Sequence, residues 1–180
     1  QIQHYILPLW NLYNFCVEYG IDDITQFTSG NEEAYHSYLL GITENQLKTD
    51  RHIIGVVRKY LFLSAPTINW DANVWYFERF TFTQGRMNEA RPIEALYFDS
   101  FVIADNVSLL KDYMKYLIGL SPRYSIQSVY IAYYDAKELL KFLDTEKILL
   151  KEIKAEQIDT YINEYYLREN EPSTVNKMLG

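Results

Sequence analysis

Three short runs of this sequence carry the residue types that hold phosphates. Thr49 stands with Arg51 and His52. Arg123 precedes Ser125, Gln127 and Ser128. Ser173 and Thr174 precede Asn176 and Lys177. Each run heads an apolar-periodic segment, so each is expected in the first turn of a helix. A helix start leaves backbone N–H groups without intrahelical partners, and its dipole end is positive, which favours an anion. Short hydroxyl and amide side chains there add contacts to phosphate oxygens or base edges. The same residues also serve as plain caps on a solvated face, and both readings stand at this level. Arg58 and Lys59 follow Thr49 along the same helix and are read as surface cations.

Nothing else in the chain assembles into a reactive set. His4, His36 and His52 are scattered without ligand spacing, so no metal site is expected. Cys16, the single cysteine, falls on an apolar helix face, where packing is the natural role. The acid pairs Asp22-Asp23 and Glu32-Glu33 suit a connector and a helix start. The seven glycines are spread too thinly for a phosphate-cradling loop. No cofactor and no small-molecule ligand is implied, and no catalytic residue is assigned.

The elements that must position these runs read as helices. Residues 2–19 show apolar recurrence at three and four from Ile2 to Val17, with Pro8 as a possible true start and Gly20 as a stop. A second helix opens near Ser29 to Asn31 and ends at Gly41. A third, capped by Thr49 or Asp50, runs to Ser64 before Pro66, with Ile53, Ile54, Val57, Leu61 and Phe62 inward. Asp105 or Asn106 caps a fourth, to Gly119. Ser125 to Leu143 forms the longest. Ala155 to Leu167 forms another, with Ile158, Tyr161, Ile162 and Tyr165 inward, and Glu171-Pro172 opens a last one. Between them, 67–104 is aromatic and irregular. Trp70 to Phe77 could start a helix there, and Phe80 to Thr83 could form a short strand.

The fold class expected is therefore all-α: two tandem small helical bundles, 1–66 and 105–180, joined by an irregular aromatic-rich segment, 67–104. Apolar residues at 48% provide for a real core. The single cysteine and the absence of a long unbroken apolar run point to a reducing, cytoplasmic setting without a membrane span. A net charge of −7 argues against a generic polyanion binder. The exception is the window from Lys48 to Arg91, where seven bases oppose four acids for a net +3. Residues 105–180 hold ten bases and twelve acids, net −2. Seventeen tyrosines suit half-wet interfaces as well as small helical cores.

Thr49 to Gly55 and Thr174 to Gly180 share a pattern of Thr, any residue, a polar or basic pair, two apolar residues and Gly. Each half reads long helix, anchored connector, shorter helix, loop, polar-headed helix. This suggests a duplicated unit whose second copy is cut short, and hence a fragment of a longer chain.

The run from Ser121 to Gly180 resembles the core-binding domain of the tyrosine recombinases, the phage-integrase family. The resemblance is carried by Tyr130, Leu139-Leu140 and Phe142-Leu143, then Glu152-Ile153, then Ile158 to Ile162, and last the Ser173 to Lys177 helix start. The upstream region, including Trp70 to Arg91 and Asp105 to Leu120, is similar to the N-terminal extension of transposon-encoded members. The resemblance implies a helical clamp on double-stranded DNA at a recombination site, acting in integration or transposition, with other recombinase subunits as further partners. It implies that cutting is done by a separate C-terminal domain, so this fragment is not itself an enzyme. Together with the polar-headed helix starts and the basic window, this reading expects DNA contacts at Thr49, Arg51, Arg58, Lys59, Arg123, Ser125, Gln127, Ser128, Ser173, Thr174, Asn176 and Lys177. The other reading is a helical protein-interaction module that mediates assembly without touching DNA.

Overall fold

The computed structural model describes residues 3–42, 47–82, 93–120 and 123–166. Contacts divide the chain into two compact units. The first comprises Gln1–Ser100 with Leu120–Gln127, and the second Phe101–Gly119 with Ser128–Gly180.

The first unit opens with helix α1 (Gln3–Glu18), which runs straight through Pro8. It closes as a glycine-capped end. Gly20, at φ +64°, lets Ile21 N–H reach the Cys16 carbonyl at 2.8 Å while Gly20 N–H reaches Val17. A 3-10 turn (Ile24–Gln26) follows, capped by the Asp23 carboxylate on Thr25 N–H at 2.8 Å. Helix α2 (Ser29–Ile42) begins three residues before its first acid, Glu32. Thr28 and Asn31 exchange side-chain and backbone hydrogen bonds around its first turn. Helix α3 (Leu47–Ser64) completes the trio. Leu12, Phe15, Phe27, Tyr35, Leu39, Ile53 and Ile54 form the core they share. The Phe15 ring meets Tyr35 edge-on at 5.1 Å, an arrangement that suits aromatic quadrupoles.

The segment expected to be irregular contains a small sheet, so the fold is mainly helical rather than all-α. Strands β1 (Val74–Tyr76) and β2 (Ala95–Tyr97) pair antiparallel, with Val74 opposite Tyr97 and Tyr76 opposite Ala95. Residues 74–76 are buried on both faces, so the sequence there shows no alternation to distinguish strand from helix. A 3-10 turn (Phe77–Arg79) follows β1, and Phe80 to Phe82, candidates for a strand, are not in one, while Thr83 lies outside the described residues. The hairpin belongs to the first unit and does not stand between two bundles. Asn73 secures it to the first 3-10 turn, through its N–H to Thr25 and its amide to the carbonyls of Gln26 and Phe27.

The second unit holds helix α4 (Ala104–Gly119) and most of α5 (Ile126–Glu146). Leu110, Met114, Leu117, Ile118, Val129, Tyr133, Leu140, Phe142 and Leu143 are its buried apolar residues among those described. The Asp144 carboxylate accepts from Val102 N–H at 2.8 Å and Ile103 N–H at 3.3 Å, at the entry to α4. Asn106 is fully buried. Its amide donates to Ile148 at 3.0 Å and accepts from Leu150 N–H at 2.7 Å. Helix α5 ends as α1 does, with Ile148 N–H on the Leu143 carbonyl, but here the left-handed residue is Lys147, at φ 57°. A 3-10 turn (Leu150–Glu152) and helix α6 (Ala155–Thr160) follow, continued by a π-helical turn (Tyr161–Tyr166) in place of regular helix to Leu167. Ile158, expected inward, is exposed.

Candidate nucleic-acid interface

Of the seven cations in the basic window, the three whose side chains are described are engaged within the protein. Arg58 is only 5% exposed. Its guanidinium pairs with Glu32, lies 3.8 Å from Asp99, and donates to the carbonyls of Phe27 at 2.7 Å and Ile24 at 3.3 Å. This corrects its reading as a surface contact. Its donors are consumed inside the first unit, as a buried cation requires. One signal for this lies in the spacing. Arg58 sits four residues after Ile54 and four before Phe62, both buried, on one row of the α3 surface.

Lys59 remains partly exposed, but its ammonium donates to Glu78 at 2.6 Å and lies 5.8 Å from the Tyr76 ring centroid. The hydrogen bond to Glu78 holds its pKa above the ordinary lysine value. Arg79 points at the end of α3, where it donates to the carbonyls of Leu63 and Ala65. A cation at a helix C-terminus answers both its orphan carbonyls and its dipole. All three described cations of this window are thus engaged within the protein.

Helix α3 starts at Leu47, two residues before Thr49, so Thr49 sits inside the first turn and does not cap it. The side chains of Thr49 and Arg51 lie outside the described residues, as do Ser173, Thr174, Asn176 and Lys177 entirely.

The run before α5 is differently disposed. Arg123 is exposed, its N–H closing a turn onto the Leu120 carbonyl at 2.8 Å. Among the described residues its side chain makes no ion pair. Gln127 and Ser128 are exposed on the first turn of α5, and Ser125, just ahead of it, is half-buried. Ile126 and Val129 turn inward, which leaves the polar residues of this turn facing out.

Other chemistry is thinly provided. Burial pushes the Cys16 thiol up, away from the thiolate a nucleophile needs. Burial also pushes the Tyr76 hydroxyl up to about 12. No group of His, Cys, Asp or Glu among the described residues could hold a metal ion, and no described helix is long and apolar enough to cross a membrane.

One surface feature escaped the sequence reading. The apolar recurrence from Ile2 to Val17 does not all face the core: Tyr5, Ile6, Leu9, Tyr13 and Val17 are exposed. The inward side is Pro8, Asn11, Leu12 and Phe15. A helix apolar on both sides gives its period no way to choose between them.

No protein-family model matches the chain, and no match is found among characterised proteins or among solved structures.

Proposed function

We propose that the chain is a DNA-binding, N-terminal portion of a site-specific tyrosine recombinase, acting in integration or transposition in the cytoplasm. In this reading it grips double-stranded DNA, and strand cutting lies outside it. The observation that carries the reading is the head of α5, where an exposed Arg123 free of any described carboxylate precedes exposed Gln127 and Ser128. An arginine can take a phosphate or a guanine edge, and short polar groups on the next turn add register. Arg58, Lys59 and Arg79 are engaged internally and the net charge of −7 opposes a polyanion, so affinity is weak and strongly dependent on salt.

The test is titration of labelled duplex DNA by the full chain at about 50 and 200 mM salt. Binding should weaken with salt. Arg123→Ala should weaken it further and reduce the salt slope by about one. Lys59→Ala should leave both unchanged. Absence of binding even at low salt sinks this reading.

The second reading, an assembly module, is favoured by a separate observation: the exposed apolar side of α1.

A further inference from the structure

The exposed side of α1 has a specific pattern. Ile6, Trp10, Tyr13 and Val17 are 59, 60, 59 and 63% exposed. At about 100° per residue they fall within roughly 60° of arc, opposite the buried Leu12 and Phe15. Their intervals of four, three and four residues make a coiled-coil seam. The seam reads the same from either end, with its midpoint between Asn11 and Leu12. A second α1 laid antiparallel about a two-fold axis at that midpoint sets Ile6 against Val17 of the other copy, and Trp10 against its Tyr13. Self-complementarity of this kind is what a two-fold interface needs.

We propose that α1 is the interface of an antiparallel, two-fold dimer of this chain. The inference rests on the assembly reading above and narrows it to a second copy and one helix face. Charge supports that choice of partner. The chain carries −7 overall, so two copies repel, but Glu18 is the one acidic residue of α1 and no Lys or Arg is present in it. Area supports it too. Trp10 and Tyr13, at about 150–250 Å² per side chain, leave on the order of 250 Å² exposed. Tyr5, Ile6, Leu9 and Val17 roughly double that. Two copies then bury on the order of 1,000 Å², the lower limit of a specific interface. Such an area fits a reversible dimer of about micromolar affinity better than an obligate one.

Sedimentation velocity of the full chain, under reducing conditions and from about 1 to 200 μM, should show a monomer passing to a dimer. Trp10→Lys and, separately, Val17→Lys should hold the chain monomeric with helicity unchanged, and with melting equal to that of the wild-type chain at concentrations where the latter is monomeric, since both side chains are exposed. Orientation is tested in a Cys16→Ser background. Chains with Ile6→Cys, mixed with chains with Val17→Cys and oxidised, should form the mixed disulfide dimer. Same-position dimers alone would overturn the antiparallel pairing. A dimer that survives both lysine variants overturns the α1 interface and leaves the assembly reading standing. A wild-type chain monomeric throughout overturns both, and DNA titration of that monomer still tests the DNA reading independently.

Discussion

Arg58 engages Phe27 twice: its Nη2 donates to the Phe27 carbonyl at 2.7 Å, and its guanidinium lies 5.6 Å from the centroid of the Phe27 ring. With Glu32 and the Ile24 carbonyl also on the guanidinium, one side chain of α3 holds the first 3-10 turn and the start of α2. Removing it leaves the Glu32 carboxylate without its cation and takes a charged donor from two carbonyls, each of which keeps one other partner. Arg58→Ala should therefore cost about 3–5 kcal/mol. Lys59→Ala, one residue on, breaks an exposed pair and should cost less than about 1 kcal/mol. Urea unfolding of the two variants measures the contrast. Equal effects would refute this account of the basic window.

Asn106 is the corresponding tie of the second unit. Asn106→Ala leaves Ile148 C=O and Leu150 N–H without their partner, at a cost of about 2–4 kcal/mol. Asn106→Asp keeps the acceptor but loses the donor unless it is protonated. Its buried carboxyl should have a raised pKa, so the variant should be least stable at neutral pH and recover on acidification. Thermal melts at pH 7 and pH 4 distinguish the two substitutions.

Lys147 occupies a left-handed backbone conformation where α1 uses Gly20. A side chain there costs about 1 kcal/mol that glycine avoids, offset in part by the greater freedom of glycine in the unfolded chain. Lys147→Gly should raise stability by roughly 0.5–1 kcal/mol. A higher melting temperature is the expected result, and a lower one would mean that the exposed lysine makes a contribution of its own.

Tyr76 sets an upper pH limit. Its hydroxyl, buried and 3.4 Å from the Gly55 carbonyl, ionises near 12 in the folded chain, against about 10 when unfolded. The folded state then holds a proton that the unfolded state has lost. Stability is complete below pH 10 and falls as pH rises toward 12. Tyr76→Phe should flatten that fall, as read from unfolding midpoints across the window. An unchanged slope would assign the loss to other groups.

Most of the described helices are legible in the sequence because they carry both period and punctuation, although α3 begins at Leu47 ahead of Thr49 and Asp50 and α6 gives way to a π-helical turn after Thr160. Gly20 stopping α1, the start near Ser29 and Pro66 after α3 are local signals that no tertiary contact needed to override. The hairpin was not legible. Val74, Trp75 and Tyr76 are buried on both sides, and their partners Ala95 to Tyr97 lie about twenty residues away across a polar stretch. Arg58 was misread for a related reason. Side-chain type suggested the surface, whereas its place between Ile54 and Phe62 was decided by what α3 packs against. For α1, the amphipathic rule gives one answer when one side is apolar and none when both are.

The two ties of the second unit also bear on how it folds. Asp144 reaches Val102 and Ile103 across 42 and 41 residues, and Asn106 reaches Ile148 and Leu150 across 42 and 44. None of these bonds can close until about forty residues have been looped, an entropic cost that local helix formation does not bear. On a chain emerging from the ribosome, α4 therefore has no acceptor for its entry amides until Asp144 is made. Both ties gather at one place, Asp144 in the last turn of α5 and Ile148 and Leu150 just beyond it, so the entry and first turn of α4 are held from the end of α5.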